Sequence, residues 1–150
     1  MISDHGRVLN EKTGRILTLT TNQASIVQVG LWSKNMQKRR AVSTLVATAF
    51  LPPPPSELFD TVINKDGDRH NNFAINLDWR PRWFALKYHR QFSRRGTFQN
   101  IAIADMDTGE EFISLWDAAI KYGLLVHEVL ESINHQSTVW PTHQRFWRLD

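Results

Sequence analysis

The chain of 150 residues contains no cysteine. Disulfides and thiolate metal sites are therefore excluded, and the composition suits a reducing cytosol. No apolar run approaches the ~18 residues that a membrane span needs. Met1-Ile2-Ser3-Asp4 lacks the basic start and apolar stretch of a signal peptide. A cytoplasmic location is expected. The six histidines are scattered and form no H-x-x-x-H pair. A phosphate-loop glycine pattern, G-x-S-x-G and S-x-x-K are all missing, which removes the common nucleotide-binding and serine-nucleophile classes. One absence is local. No acidic residue lies between Asp78 and Asp105, while Arg80, Arg82, Lys87, Arg90, Arg94 and Arg95 all fall there.

What is present is an ordinary folded composition, 41% apolar, in a chain long enough to bury a core. Net charge is +3 and the sequence pI about 9.5. The clustering matters more than the total. A second basic group is Lys34, Lys38, Arg39 and Arg40. Local basic blocks are the footprint of phosphate binding, against the blander alternative of a solvated face.

The stretch Val62–Trp79 organises the chain. It reads as a short strand, a tight turn at Lys65-Asp66-Gly67-Asp68 and a helix start. Gly67 supplies a positive φ, and the aspartates bond their own backbone. Asn71 and Asn72 are candidate caps. Val62, Asp66-Gly67, Asn71-Asn72 and Asn76-Leu77-Asp78-Trp79 resemble the ββα-metal core of the HNH endonucleases, in the form found in bacteriophage and intron homing enzymes. Ser3-Asp4-His5-Gly6-Arg7-Val8 and Gly14-Arg15-Ile16-Leu17 resemble the β module that precedes that core. Ala41–Phe50 resembles its following helix, with Ser43 at a family histidine.

The resemblance implies a divalent cation, Mg²⁺ or Mn²⁺, held at the scissile phosphate beside a histidine base. Asn64 stands at the base. Ile63 stands where some members place a metal-binding aspartate. Ala85 stands at a helix asparagine that supplies a further ligand. The expected metal set is thus none, and the expected cofactor is none unless the chain is a nuclease. The degenerate candidates for a catalytic role are Asn64, His70 and Asn76.

Pro52–Pro55 ends the first helix and reads as a stiff connector. A helix over 82–94 is expected to carry Trp83, Leu86 and Phe92 inward and its arginines outward. Ile101–Ala104 reads as a strand and Asp107-Thr108-Gly109-Glu110 as a hairpin turn. Ser114 with Asp117 reads as a capping pair, and Gly123 as a C′ residue. A second helix spans Val126–Ile133. Phe112, Ser114, Ala118, Ala119, Gly123 and Leu124 resemble the C-terminal helix-turn-helix module of phage homing endonucleases, closed by Phe146–Leu149.

The expected fold is α+β: a small antiparallel β module with a ββα core over 1–96, and a helix-turn-helix module with flanking strands over 97–150. The expected partner is double-stranded DNA. Its contacts are assigned to Arg80, Arg82, Lys87, Arg90, Arg94, Arg95, Lys38, Arg39, Arg40, His127 and Ser132. The expected function is a catalytically inactive DNA-binding protein derived from an HNH homing endonuclease, acting as a regulator. The alternatives are an active metal-dependent nicking enzyme and a module docking on a transcription or replication complex.

Overall fold

The computed structural model describes residues 1–93 and 100–149. Two packed units divide the chain, Met1–Ala85 and Leu86–Asp150. The sequence reading drew that boundary after residue 96; the packing draws it earlier. Among the described residues, no helix is long and apolar enough to cross a membrane.

The first unit opens with a hairpin of β1 (Leu9–Asn10) and β2 (Arg15–Ile16). A three-stranded antiparallel sheet follows, in the order β3 (Leu19–Thr21), β4 (Val27–Ser33), β5 (Met36–Ala41). Along β4, Val27 and Val29 are buried at alternate positions. Strands β3 and β5 were not foreseen. The β5 segment, MQKRRA, has no period-two apolar pattern. It is a strand because Lys34 and Asn35 both take positive φ (49° and 62°) between the paired Ser33 and Met36. That two-residue loop matches the twist of an antiparallel hairpin.

Helix α1 (Val42–Phe50) starts where β5 ends. Its Val42, Val46 and Ala47 are buried with Val8, Val27, Val29 and Leu77 in one apolar core. Each of these valine and leucine side chains contributes about 1.5–3 kcal/mol on burial. Leu51, extended, leads out of the helix into the proline run.

Strands β6 (Thr61–Asn64) and β7 (Leu77–Arg80) pair antiparallel, Thr61 opposite Arg80 and Asn64 opposite Leu77. Leu77–Trp79 is therefore strand, not the start of a helix. Only a 3₁₀ turn, Ala74–Asn76, precedes it, with no side-chain cap. Backbone pairing with β6 and burial of Leu77 override the capping signal of the asparagines. Helix α2 (Arg82–Gln91) follows Pro81. Phe84, Ala85 and Tyr88 are its buried residues, while Trp83 and Leu86 are more than half exposed. The inward face expected from Trp83 and Leu86 is thus corrected. The i, i+1, i+4 set of Phe84, Ala85 and Tyr88 supplies the apolar stripe instead.

The second unit holds a sheet in the order β10 (Phe146–Arg148), β8 (Ile103–Asp105), β9 (Glu111–Phe112), all antiparallel. Against it lie α3 (Leu115–Tyr122) and α4 (Val126–His135). The Ser114 hydroxyl accepts from the Asp117 amide at 3.2 Å and is 2.8 Å from its carboxylate. Gly123 ends α3 in the left-handed region. Helix α4 has no side-chain cap of its own. Gln91 serves instead: its Oε1 accepts from the Val126 amide at 3.0 Å, and its Nε2 donates to the Leu124 carbonyl at 3.2 Å. This satisfies one of the amides that a helix start leaves open.

Candidate functional site

The loop between β6 and β7 is built on amide side chains. The Gly67 amide donates to the Asn64 carbonyl at 2.9 Å, with Gly67 at φ +79°. Asp66 then gathers the loop. Its Oδ1 accepts from the Asp68 amide and from Asn76 Nδ2, both at 2.9 Å. Its Oδ2 accepts from Asn71 Nδ2 at 2.7 Å. Asn76 Oδ1 accepts from the Asp66 amide at 3.1 Å, and Asn76 Nδ2 also donates to the Asn71 carbonyl at 2.8 Å. Asn64 is 4% exposed, and its Nδ2 donates to the Asn71 carbonyl and to Asn72 Oδ1, each at 2.9 Å. The main-chain carbonyl fixes the orientation of the Asn64 amide, since a flipped group would set two oxygens against each other.

The residues at the metal positions do not fit a divalent cation. Ile63 is fully buried hydrocarbon, and Ala85, 4% exposed, offers a methyl group. Hard cations take oxygen ligands, and neither side chain has one. Asn64 presents N–H groups to its neighbours and has no basic site near neutral pH. Of the other candidates, Asn76 is engaged in the loop. His70 is exposed, with its Nδ1 3.5 Å from Asp68 Oδ1 and its amide donating to that same oxygen at 2.9 Å. Lys65, beside the site, has its pKa lowered by burial, with Asp78 raising it and Arg80 lowering it further.

The basic residues separate into three settings. Lys38, Arg39 and Arg40 are exposed on β5. Arg82, Lys87 and Arg90 are exposed along α2, together with Trp83 and Leu86. Arg80 is different, only 3% exposed. Its Nη1 donates to the Trp79 carbonyl at 2.7 Å and meets Asp78 Oδ2 at 3.0 Å, and its guanidinium lies 5.5 Å from the Phe84 ring centre. The assignment of Arg80 to an exposed face is corrected: it is held by its own strand and helix. Arg94 and Arg95 lie outside the described residues.

In the second unit, His127 is exposed and its Nε2 pairs with Glu131 at 2.9 Å. Ser132 is 2% exposed and its hydroxyl donates to the Val129 carbonyl at 2.8 Å. The assignment of Ser132 to a contact surface is corrected; it sits on the buried side of α4. Asp105, fully buried, accepts from Tyr122 Oη at 2.9 Å and from the Asp107 amide at 2.8 Å. Burial first, and this bond next, push the Tyr122 phenol up to about 12.

The sequence reading missed the extent of the basic ribbon. No acid occurs anywhere from Lys12 to Ser56, a signal that was legible and that surrounds β3, β4 and β5.

A strand pair followed by a helix, with the Asp-Gly turn and paired asparagines between the strands, is the frame of the HNH endonucleases. The chain has that fold. Its structure is similar to that of the HNH homing endonuclease I-HmuI, solved in work on DNA binding and cleavage by that enzyme. The TM-score is 0.52 and the identity 22%, over 99% of this chain and 90% of that one. In sequence it is 33% identical over 78 residues to an uncharacterized HNH endonuclease, L245, of Acanthamoeba polyphaga mimivirus. That match covers 52% of this chain and 23% of the relative's length. No protein-family model matches the chain.

Proposed function

We propose that the chain is a double-stranded DNA-binding protein that keeps the frame of an HNH homing endonuclease and does not cut. The observation that carries this reading is the donor set at the frame. Hydrocarbon occupies positions 63 and 85, and an amide committed to its neighbours occupies position 64. A missing base alone costs about 10²–10⁴ in rate. Without side chains to hold the cation as well, useful turnover is not expected.

Two exposed basic surfaces support binding. The β4–β5 ribbon carries Lys38, Arg39 and Arg40 on its exposed strand, and α2 carries Arg82, Lys87 and Arg90. Contacts of this kind position a protein on the phosphate backbone without reading sequence. A repressor or other regulator is the role that suits a chain that binds and leaves DNA intact. On α4, Glu128 and Glu131 oppose phosphate approach. That helix is the surface on which a protein partner of the transcription or replication machinery would be sought if DNA binding failed.

The test is the purified chain with supercoiled plasmid and Mg²⁺ or Mn²⁺, alongside duplex binding at two salt concentrations. Salt-dependent binding without nicking is the expected result. Metal-dependent nicking that His70→Ala abolishes would establish the nickase alternative.

A further inference from the structure

The position of the family's base faces more than its own loop. Asn64 Nδ2 bonds Asn72 Oδ1, and Asn72, 5% exposed, lies against the N-terminal turn of Ser3–Arg7. Gly6, at φ +83°, fits between two neighbours. A Cβ there would come 3.0 Å from Val42 Cγ1 and 3.5 Å from Asn72 Cβ. Two further contacts fasten the same turn. The Ala74 amide donates to the Asp4 carbonyl at 2.8 Å, and the His5 ring stands edge-on to Phe73 at 4.3 Å. Val42 is the first residue of α1, directly after the basic strand β5.

We infer that Asn64 is a positioning residue. The place of the lost base has become a joint that ties the β6–β7 unit, through Asn72 and Gly6, to the start of α1 and the basic ribbon. This deepens the reading of a frame that does not cut, on which it rests. The chemistry explains why an asparagine suits the joint. Its one NH₂ group reaches two acceptors, the Asn71 carbonyl and Asn72 Oδ1. A histidine nitrogen carries at most one N–H, and an aspartate would set a carboxylate against both acceptors. A single return to histidine therefore breaks the joint rather than remaking a base.

The experiment begins with the wild-type full chain, by NMR. The Asn64 side-chain NH₂ is assigned by its loss in Asn64→Ser, and its exchange is compared with that of exposed Asn35. Slow exchange at Asn64, unchanged by Mg²⁺, is expected. Exchange as fast as at Asn35, or saturable Mn²⁺ broadening centred on Asn64, would overturn the joint. In Asn64→Ser, the Ala74 amide should exchange tenfold or more faster, with shifts at Gly6 and Val42 and none at Gly123. Changes confined to residues 64–76 would reduce Asn64 to a local loop residue and overturn the inference. Asn64→Asp should lower Tm by roughly 5–10 °C; an unchanged Tm would contradict it. Duplex binding by wild type is read in the same samples. A chain that keeps the slow amide but fails to bind DNA leaves the joint standing and contradicts the function.

Discussion

The β6–β7 loop and the β4–β5 ribbon lie in one unit and are built on opposite terms. In the loop, Asp66, Asn64, Asn71 and Asn76 spend their hydrogen-bonding groups on one another and on nearby main chain. In the ribbon, residues Met36 to Arg40 are exposed, and three of them are cations. Buried polar groups must be paired, and a paired group has little left for a ligand. Exposed cations on a regular strand remain available to phosphates. The segment that resembles a reaction centre is therefore the structural one, and the segment with no motif is the better candidate for contact.

Substitutions that treat the two regions alike should have unlike effects. The largest is expected in the ribbon. Replacing Lys38, Arg39 and Arg40 together by alanine should flatten the salt dependence of log K by about 2.7 units if each meets one phosphate. At 0.1 M salt that corresponds to a loss of roughly 500-fold in affinity, with thermal stability nearly unchanged. Fluorescence anisotropy in a salt series reads the slope directly. An unchanged slope would reassign the ribbon to a solvated face.

Arg80 should behave in the opposite way. Arg80→Met keeps the aliphatic stem but leaves Asp78 without its ion pair. Asp78 is partly exposed, so the expected loss is about 1–2 kcal/mol of stability rather than the full cost of breaking a buried pair. The salt slope of DNA binding should stay the same. A slope reduced by about one unit would return Arg80 to the DNA-contacting set.

The smallest effect tests the second unit. Tyr122→Phe removes a hydrogen bond to buried Asp105 and should cost about 1 kcal/mol by denaturant titration. The Tyr122 pKa is raised when folded, so its contribution is complete below the unfolded value near 10 and is lost as pH rises toward about 12. The variant should lack that alkaline step. A step of equal size in both proteins would show that another group produces it.

Much of this organisation was legible before the structure. The Ser114–Asp117 cap, Gly123, the hairpin turn and the closing strand of the second unit follow from local chemistry, and local chemistry decides them. The two β strands of the ββα unit were half seen. The first was read as a short strand, while the second was hidden because Leu77-Asp78-Trp79 is paired by a partner distant in sequence. Strand β5 was illegible for the same reason: its residues carry no period, and only the Lys34–Asn35 loop and pairing with β4 make it a strand. At the site, the hydrocarbon at positions 63 and 85 and the amide at position 64 could be read directly. What Asn64 does instead could not, because its acceptors are set by the folded loop. Charge counting failed at Arg80, since sequence density cannot separate a solvated arginine from one packed on Phe84.

The most direct measurement of the central claim is a single time course. The wild-type chain is bound to supercoiled plasmid at a concentration that saturates binding, Mn²⁺ is added, and the topological forms are followed. The account predicts a fully bound plasmid that stays supercoiled throughout. Conversion to open circles at a rate proportional to bound protein would contradict it.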